Sequence, residues 1–102
     1  MKIVICGAGL VGTSIASHLA EEQNDVTVID ASAEKIQRLT EQVDVHGVVG
    51  VASYPDILSG AGARDAELLI AVTESDEVNM VACQVAHTIF NTPVKIARIR
   101  HQ

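Results

Sequence analysis

The sequence predicts a doubly wound α/β fold, in which a five-stranded parallel sheet carries helices on both faces. Short apolar runs rich in Val and Ile alternate along the chain with longer segments whose apolar residues recur at helical spacing. This alternation favours parallel strands joined by right-handed crossovers, with the strand order 3-2-1-4-5. The chain has 102 residues, of which 48% are hydrophobic, so we expect one core and one domain over residues 1–102.

The first strand, the first helix and the second strand follow directly from this pattern. Residues 2–6 are a β-branched run that ends at Gly7, which favours a strand buried on both faces. A helix is predicted over residues 10–23, because apolar residues recur there every four positions: Val11, Ile15 and Leu19. Residues 26–29 form the second apolar strand, which ends at Asp30.

The next elements are shorter. Ser32 is the expected N-cap of a second helix, whose apolar face consists of Ile36, Leu39 and Val43. Residues 45–49 give the third strand. Pro55 then opens a short third helix, which Gly60 and Gly62 end.

Residues 68–72 predict the fourth strand, and a long helix follows with Thr73, Ser75 or Asp76 as its cap. Its apolar stripe is Val78, Val81, Ala82, Val85, Ala86 and Ile89. Pro93 ends this helix, and residues 94–99 give the fifth strand. Because a six-stranded dinucleotide fold needs a further helix and strand, we expect the chain to be truncated after strand five and to be a fragment of a longer protein.

A glycine motif, G-x-G-x-x-G, lies between the first strand and the first helix. In a Rossmann-like fold such glycines permit a tight turn, let a pyrophosphate approach the backbone, and let the helix approach the sheet. The N–H groups at the start of the helix can then bind phosphate. The predicted phosphate-binding residues are Gly7, Ala8, Gly9, Leu10, Val11 and Gly12. The alternative is a glycine-rich turn with no ligand.

Asp30 ends the second strand and can accept hydrogen bonds from both hydroxyls of an adenosine ribose. It would also repel a 2′-phosphate, and no arginine follows closely, the first cation being Lys35. The sequence therefore favours NAD over NADP. The alternative role for Asp30 is that of a simple turn or helix cap.

The other strands end at the same edge of the sheet, so the residues that follow them complete the predicted site. These residues are Ala31, Gly50, Val51, Ala52, Val72, Thr73, Asp76, Glu77, Arg98 and Arg100. Small residues at 50–53 leave space for an adenine, and Thr73 can hydrogen-bond ribose or phosphate. Asp76 and Glu77 equally suit the helix dipole, and the two arginines suit either a second or third phosphate or a salt bridge between subunits.

Composition excludes several other classes. The formal charge of −6 argues against nucleic acid as a partner. Cys6 and Cys83 lie in apolar elements without CxxC spacing, which indicates structural thiols. The four histidines are spread over different elements, so no metal site is expected: His18, His46, His87 and His101. With no apolar run long enough to cross a bilayer, we expect a cytoplasmic domain.

Three segments, residues 7–30, 53–86 and 91–100, together resemble the RCK or KTN nucleotide-binding domains, the TrkA-N family, of regulatory subunits in bacterial Trk potassium uptake systems. The signature V-T-x-S-D-E-x-N at residues 72–79 is the most specific part. The positions that match the family's phosphate loop, ribose acid, loop after strand four and strand-five arginine are Gly7, Gly9, Gly12, Asp30, Thr73, Asp76, Glu77 and Arg98. Val51 departs from the Asp that many members carry, which removes a polar contact at that position.

The resemblance implies a regulatory domain that binds NAD or NADH, or alternatively ATP, ADP or AMP, as a ligand and not as a redox substrate. It implies no enzymatic activity. Its partners would be a membrane potassium transporter subunit, which places it at the inner membrane, and copies of itself in a dimer or tetrameric ring. Two alternatives stay open: the cofactor-binding half of an NAD-dependent oxidoreductase, and a purely structural assembly domain.

Overall fold

The computed structural model describes residues 1–100, and its centre is a sheet of five parallel strands in the order β3-β2-β1-β4-β5. The strands are β1 Lys2–Cys6, β2 Asp25–Asp30, β3 His46–Val49, β4 Leu68–Ala71 and β5 Val94–Ala97. The predicted fold class and strand order are therefore confirmed. The last strand ends at Ala97, two residues before the predicted end. Beyond it, the Arg100 N–H donates to the carboxylate of Asp76 at 3.1 Å.

Four helices and one short 3₁₀ turn connect the strands. The elements are α1 Leu10–Glu21, α2 Ala33–Gln42, α3 Pro55–Gly60, the 3₁₀ turn Ala63–Asp65 and α4 Asp76–Thr88. The helix α1 ends two residues before the predicted end, where Gln23 adopts a left-handed φ of 64°. Within residues 1–100, no helix combines the length and the apolar character needed to cross a membrane.

The core has two layers, one on each face of the sheet. One layer packs Ile3, Ile5 and Val28 against α1 and α2. The other packs Val4 and Leu69 against α3 and α4. The strand β1 is buried on both faces, as its unbroken apolar run predicted.

Small residues mediate the contact of α1 and α4 with the sheet. Gly12 and Ala16 are the buried residues of α1, whereas Val11 is 42% exposed. In α4, Ala82 and Ala86 are buried as predicted, but Val81 and Ile89 are among the exposed apolar residues. The predicted stripes were wrong at these larger residues, since helices that lie close to a sheet leave room only for small side chains at the line of contact.

Candidate functional site

A cleft of about 280 Å³ opens at the carboxyl edge of the strands, where β1 lies between β2 and β4. In a doubly wound sheet, this reversal of strand order is where ligands bind. The predicted site residues that line the cleft are Gly7, Gly9, Val11, Asp30, Ala31, Gly50, Val51, Ala52, Val72, Thr73, Arg98 and Arg100. The fold therefore brings together side chains from all five strand ends.

Five of the predicted site residues lie outside the lining of this cleft: Ala8, Leu10, Gly12, Asp76 and Glu77. Ala8 is buried, and Leu10 is 90% exposed at the start of α1. Gly12 packs under the loop and does not face the cleft. Asp76 and Glu77 line a separate depression beside Arg100, which agrees with their alternative role at the start of α4.

The cleft also has lining residues that were not among the predicted site residues: Ile29, Lys35, Glu74, Ser75 and Val78. Lys35 and Val78 share a signal that the sequence did carry. Each stands three residues after a serine N-cap, Ser32 for α2 and Ser75 for α4. The first turns of both helices border the same edge of the sheet, so a residue at this position can face the ligand.

The three glycines of the motif differ in whether the protein structure itself requires a glycine at that position. Gly7 adopts φ +114°, and a Cβ there would lie 2.8 Å from the Val72 carbonyl oxygen. A Cβ on Gly12 would overlap the Gly7 carbonyl oxygen. By contrast, a Cβ on Gly9 would have no neighbour within 4 Å in the described part of the chain. The protein itself therefore requires Gly7 and Gly12, whereas the open space at Gly9 is on the side of the cleft.

The N-terminus of α1 is left open for an anion. Gly9 is its N-cap and offers no side-chain oxygen to the first turn, which contains no acidic residue. The positive end of the helix dipole and the unpaired N–H groups of the first turn therefore meet at the cleft. Together they provide the backbone donors that a phosphate group needs, with no basic side chain required.

Asp30 ties the glycine loop to the second strand. One carboxylate oxygen accepts a hydrogen bond from the Ala8 N–H at 2.8 Å, and the other accepts one from the Ser32 N–H at 2.8 Å. The alternative role of Asp30 as a local cap is thus present in the structure. Each oxygen retains a further lone pair, and Asp30 lines the cleft, so the same carboxylate can also accept from ribose hydroxyls.

On the other side of β1, the side chain of Asn79 organises the loop after β4. Asn79 is fully buried, and its Oδ1 accepts from the Thr73 N–H at 2.9 Å and from the Thr73 hydroxyl at 2.7 Å. Its Nδ2 donates to the Thr73 carbonyl at 3.2 Å and to the Arg98 carbonyl at 2.9 Å. Sequence reasoning did not select Asn79 as a site residue, although a polar residue in line with Ala82 and Ala86 on a buried helix face is an unusual feature.

Arg98, which the sequence suggested as a phosphate ligand, donates to backbone carbonyls. Its Nη2 donates to the carbonyls of Val72 at 2.7 Å and Thr73 at 2.9 Å. Its Nε is buried and has no hydrogen-bond acceptor among the described residues. Arg98 therefore fixes the wall of the cleft on the β4 side, and it is part of the lining itself.

Neither thiol has the character of a nucleophile. Burial raises the pKa of Cys6 to about 12, and the neighbouring Cys83 adds to this effect. Burial also raises the pKa of Cys83, against a smaller opposite effect of Lys95. Within residues 1–100, no three His, Cys, Asp or Glu side chains lie close enough together to hold a metal ion; His101 falls outside the described residues.

The sequence matches the TrkA-N domain family over residues 3–102. The Trk system potassium uptake protein TrkA of Azorhizobium caulinodans is 63% identical over 102 residues, which make up 100% of this chain and 22% of that protein. The chain thus spans 22% of the length of this curated relative.

Solved structures share the fold at lower identity. The Kef CTD of Shewanella denitrificans in its AMP-bound form has a TM-score of 0.80 at 24% identity, over 94% of this chain and 57% of that one. The GsuK channel bound to NAD has a TM-score of 0.78 at 22% identity, over 91% and 17%. A 3-hydroxyacyl-CoA dehydrogenase from Archaeoglobus fulgidus has a TM-score of 0.71 at 18% identity, over 98% and 35%. The fold alone therefore does not separate a channel protein from a dehydrogenase.

Proposed function

The chain belongs to the TrkA-N domain family, and from this premise we propose that it is a nucleotide-sensing regulatory domain of a potassium uptake system. Its ligand is NAD or NADH, or alternatively ATP, ADP or AMP. Binding shifts the equilibrium between two conformations of the regulator and so gates a membrane potassium transporter. Such a shift can be no larger than the difference in ligand affinity between the two conformations.

The observation that carries the proposal is the open N-terminus of α1 beside Asp30. The phosphate of a nucleotide binds to the first-turn N–H groups at Gly9, and the ribose hydroxyls donate to the Asp30 carboxylate. Both groups line one cleft, and the small residues at 50–52 leave space there for the base. Two neighbours that share the fold, the AMP-bound Kef CTD and the GsuK channel bound to NAD, support this placement.

The second candidate function is the cofactor-binding half of an NAD-dependent oxidoreductase, because a dehydrogenase shares the fold. Hydride transfer requires a substrate held close to the nicotinamide and an acid or base for its proton. The described histidines, at positions 18, 46 and 87, and the two thiols do not line the cleft. The closely related proteins are named for potassium uptake, which favours the regulatory role.

The partners follow from the same relatives. A membrane transporter subunit would bind the regulator and hold it at the inner membrane, with the domain itself on the cytoplasmic side. We propose a homo-oligomer, a dimer or a tetrameric ring, as the assembly that couples nucleotide binding to the transporter. The name of the Trk system relatives and the fold shared with a channel domain support this arrangement.

Calorimetric titration of the purified chain with NAD⁺, NADH, ATP, ADP and AMP tests the proposal. We expect saturable binding of at least one of these nucleotides, with no turnover of NADH. If none of the five binds, the proposed function is wrong. If NADH is oxidised with a small-molecule substrate at an enzymatic rate of about 1 s⁻¹ or more, the oxidoreductase replaces it.

A further inference from the structure

The two sides of the cleft contact different parts of an extended ligand. Asp30 ends β2 on one side of β1, and Thr73 follows β4 on the other side. A phosphate at the start of α1, above β1, lies between them. A mononucleotide with its ribose at Asp30 therefore ends near the glycine loop, whereas a dinucleotide continues toward Thr73.

The hydrogen bonds of Asn79 determine what Thr73 presents to such a ligand. The N–H of Thr73 donates to Asn79 Oδ1, and the Thr73 hydroxyl donates to the same atom at 2.7 Å. The hydroxyl oxygen also accepts from the Ser75 N–H at 3.2 Å. The Ser75 carbonyl, at 3.1 Å, is a second acceptor for the hydroxyl proton. Thr73 therefore has no donor to spare, and among the described residues its hydroxyl oxygen accepts only from Ser75, which leaves a second lone pair for a ligand.

Asn79 also connects this wall to the end of β5. Its Nδ2 donates to the carbonyl of Arg98, whose guanidinium in turn donates to the carbonyls of Val72 and Thr73. Because the Asn79 amide is fully buried, the loss of any of these partners would leave a polar atom unsatisfied away from water. All four hydrogen bonds of Asn79 thus serve the geometry of the β4 side of the cleft.

We infer that Asn79 is a positioning residue for the half of a dinucleotide that lies beyond the pyrophosphate, acting through Thr73 and Arg98. The inference rests on the proposed function. It specifies the ligand contact on this side: a hydroxyl group, such as that of the second ribose, donates to the Thr73 oxygen. Phosphate recognition is left to the glycine loop, which has the free donors.

The test compares NADH with AMP in wild type and in Asn79→Ala by calorimetric titration. The affinity for NADH is expected to fall by roughly tenfold or more, and the affinity for AMP by less than about twofold. A general loss of structure would weaken both ligands together, so the ratio of the two affinities separates positioning from stability. Asn24→Ala is the matched control, because Asn24 Nδ2 also donates to a backbone carbonyl, that of Leu19 at 2.9 Å, at the far end of α1.

Equal losses for the two ligands, or no loss for NADH, would overturn the inference. Wild type that binds AMP but not NADH would overturn it and leave the proposed function standing, whereas wild type that binds no nucleotide would end both. A second measurement needs no variant and applies even if Asn79→Ala does not fold. The side-chain amide resonances of Asn79 should shift on addition of NADH and not on addition of AMP, and an equal response to both would contradict the inference.

Discussion

Two helices whose N-termini border the cleft, α1 and α4, begin in opposite ways. Ser75 caps α4 by accepting a hydrogen bond from the Val78 N–H at 3.2 Å, and Asp76 and Glu77 supply negative charge in its first turn. The helix α1 begins at Gly9 with neither a side-chain cap nor an acidic residue. Of the two termini, the uncapped start of α1 is therefore the one at which an external anion can bind.

The comparison extends to the loops that precede the two helices. The loop after β4 is closed by Asn79 and Arg98, which satisfy the polar groups of Thr73. Among residues 1–100, the backbone N–H groups of the loop after β1 have one side-chain partner, the Asp30 carboxylate, which accepts from Ala8. The glycine loop therefore offers backbone donors to the cleft, whereas the N–H and hydroxyl of Thr73 already donate within the protein.

The largest expected effect is that of Gly12→Ala, which disrupts the close packing of α1 against the glycine loop. The added Cβ would overlap the Gly7 carbonyl oxygen, so α1 must move away from the sheet. Overpacking against backbone is expected to lower the free energy of unfolding by about 3 kcal/mol. Urea denaturation measures the free energy of unfolding. Gly60→Ala is the control, because a Cβ there has no neighbour within 4 Å. An equally small change in Gly12→Ala would contradict the close packing.

Asp30→Ala is expected to have a smaller effect on stability and, in addition, to weaken nucleotide binding. The Ala8 and Ser32 N–H groups lose their acceptor, so the chain is less stable, and the ribose loses its carboxylate. Removal of a charge-assisted hydrogen bond costs about 1.5–3 kcal/mol, so AMP should bind roughly ten- to hundredfold more weakly. Calorimetry at a temperature where the variant is folded measures the affinity. Unchanged AMP binding would show that Asp30 serves the loop alone.

The smallest effect is expected at α4, whose N-terminus is capped by Ser75. Ser75→Ala removes the cap of α4 and should lower the free energy of unfolding by about 1 kcal/mol, the usual cost of a lost N-cap. The affinity for AMP should stay within about twofold of wild type, because the phosphate binds at α1. A tenfold loss of AMP affinity would instead place the phosphate at α4 and reverse the comparison.

Much of the fold and part of the site could be read from the sequence. The alternation of buried strands and helices fixed the strand order, and the caps at Ser32 and Ser75 were among those predicted. These features depend on local patterns of a few residues. The edge of the sheet then follows from topology, so residues at every strand end, from Gly7 to Arg98, were expected in one cleft and line it.

The hydrogen bonds within the walls of the cleft could not be predicted from the sequence in the same way. Arg98 has the chemistry of a phosphate ligand, and only the structure shows that its Nη2 is bound to two carbonyls. Asn79 lies in a helix that otherwise suggests ordinary apolar packing, and its partners come from two different loops. Asn79 and Arg98 are 19 residues apart along the chain, so their contact depends on the fold, and no local pattern encodes it.

The central claim, that a nucleotide phosphate binds at the open start of α1, is tested most directly by calorimetric titration of AMP into Gly9→Ala and Gly60→Ala. Both substitutions add a Cβ where the described protein has no atom within 4 Å, so the unfolding free energy of each should stay within about 1 kcal/mol of wild type. The account predicts AMP binding at least about tenfold weaker in Gly9→Ala and unchanged in Gly60→Ala. Wild-type affinity in a folded Gly9→Ala chain would contradict it.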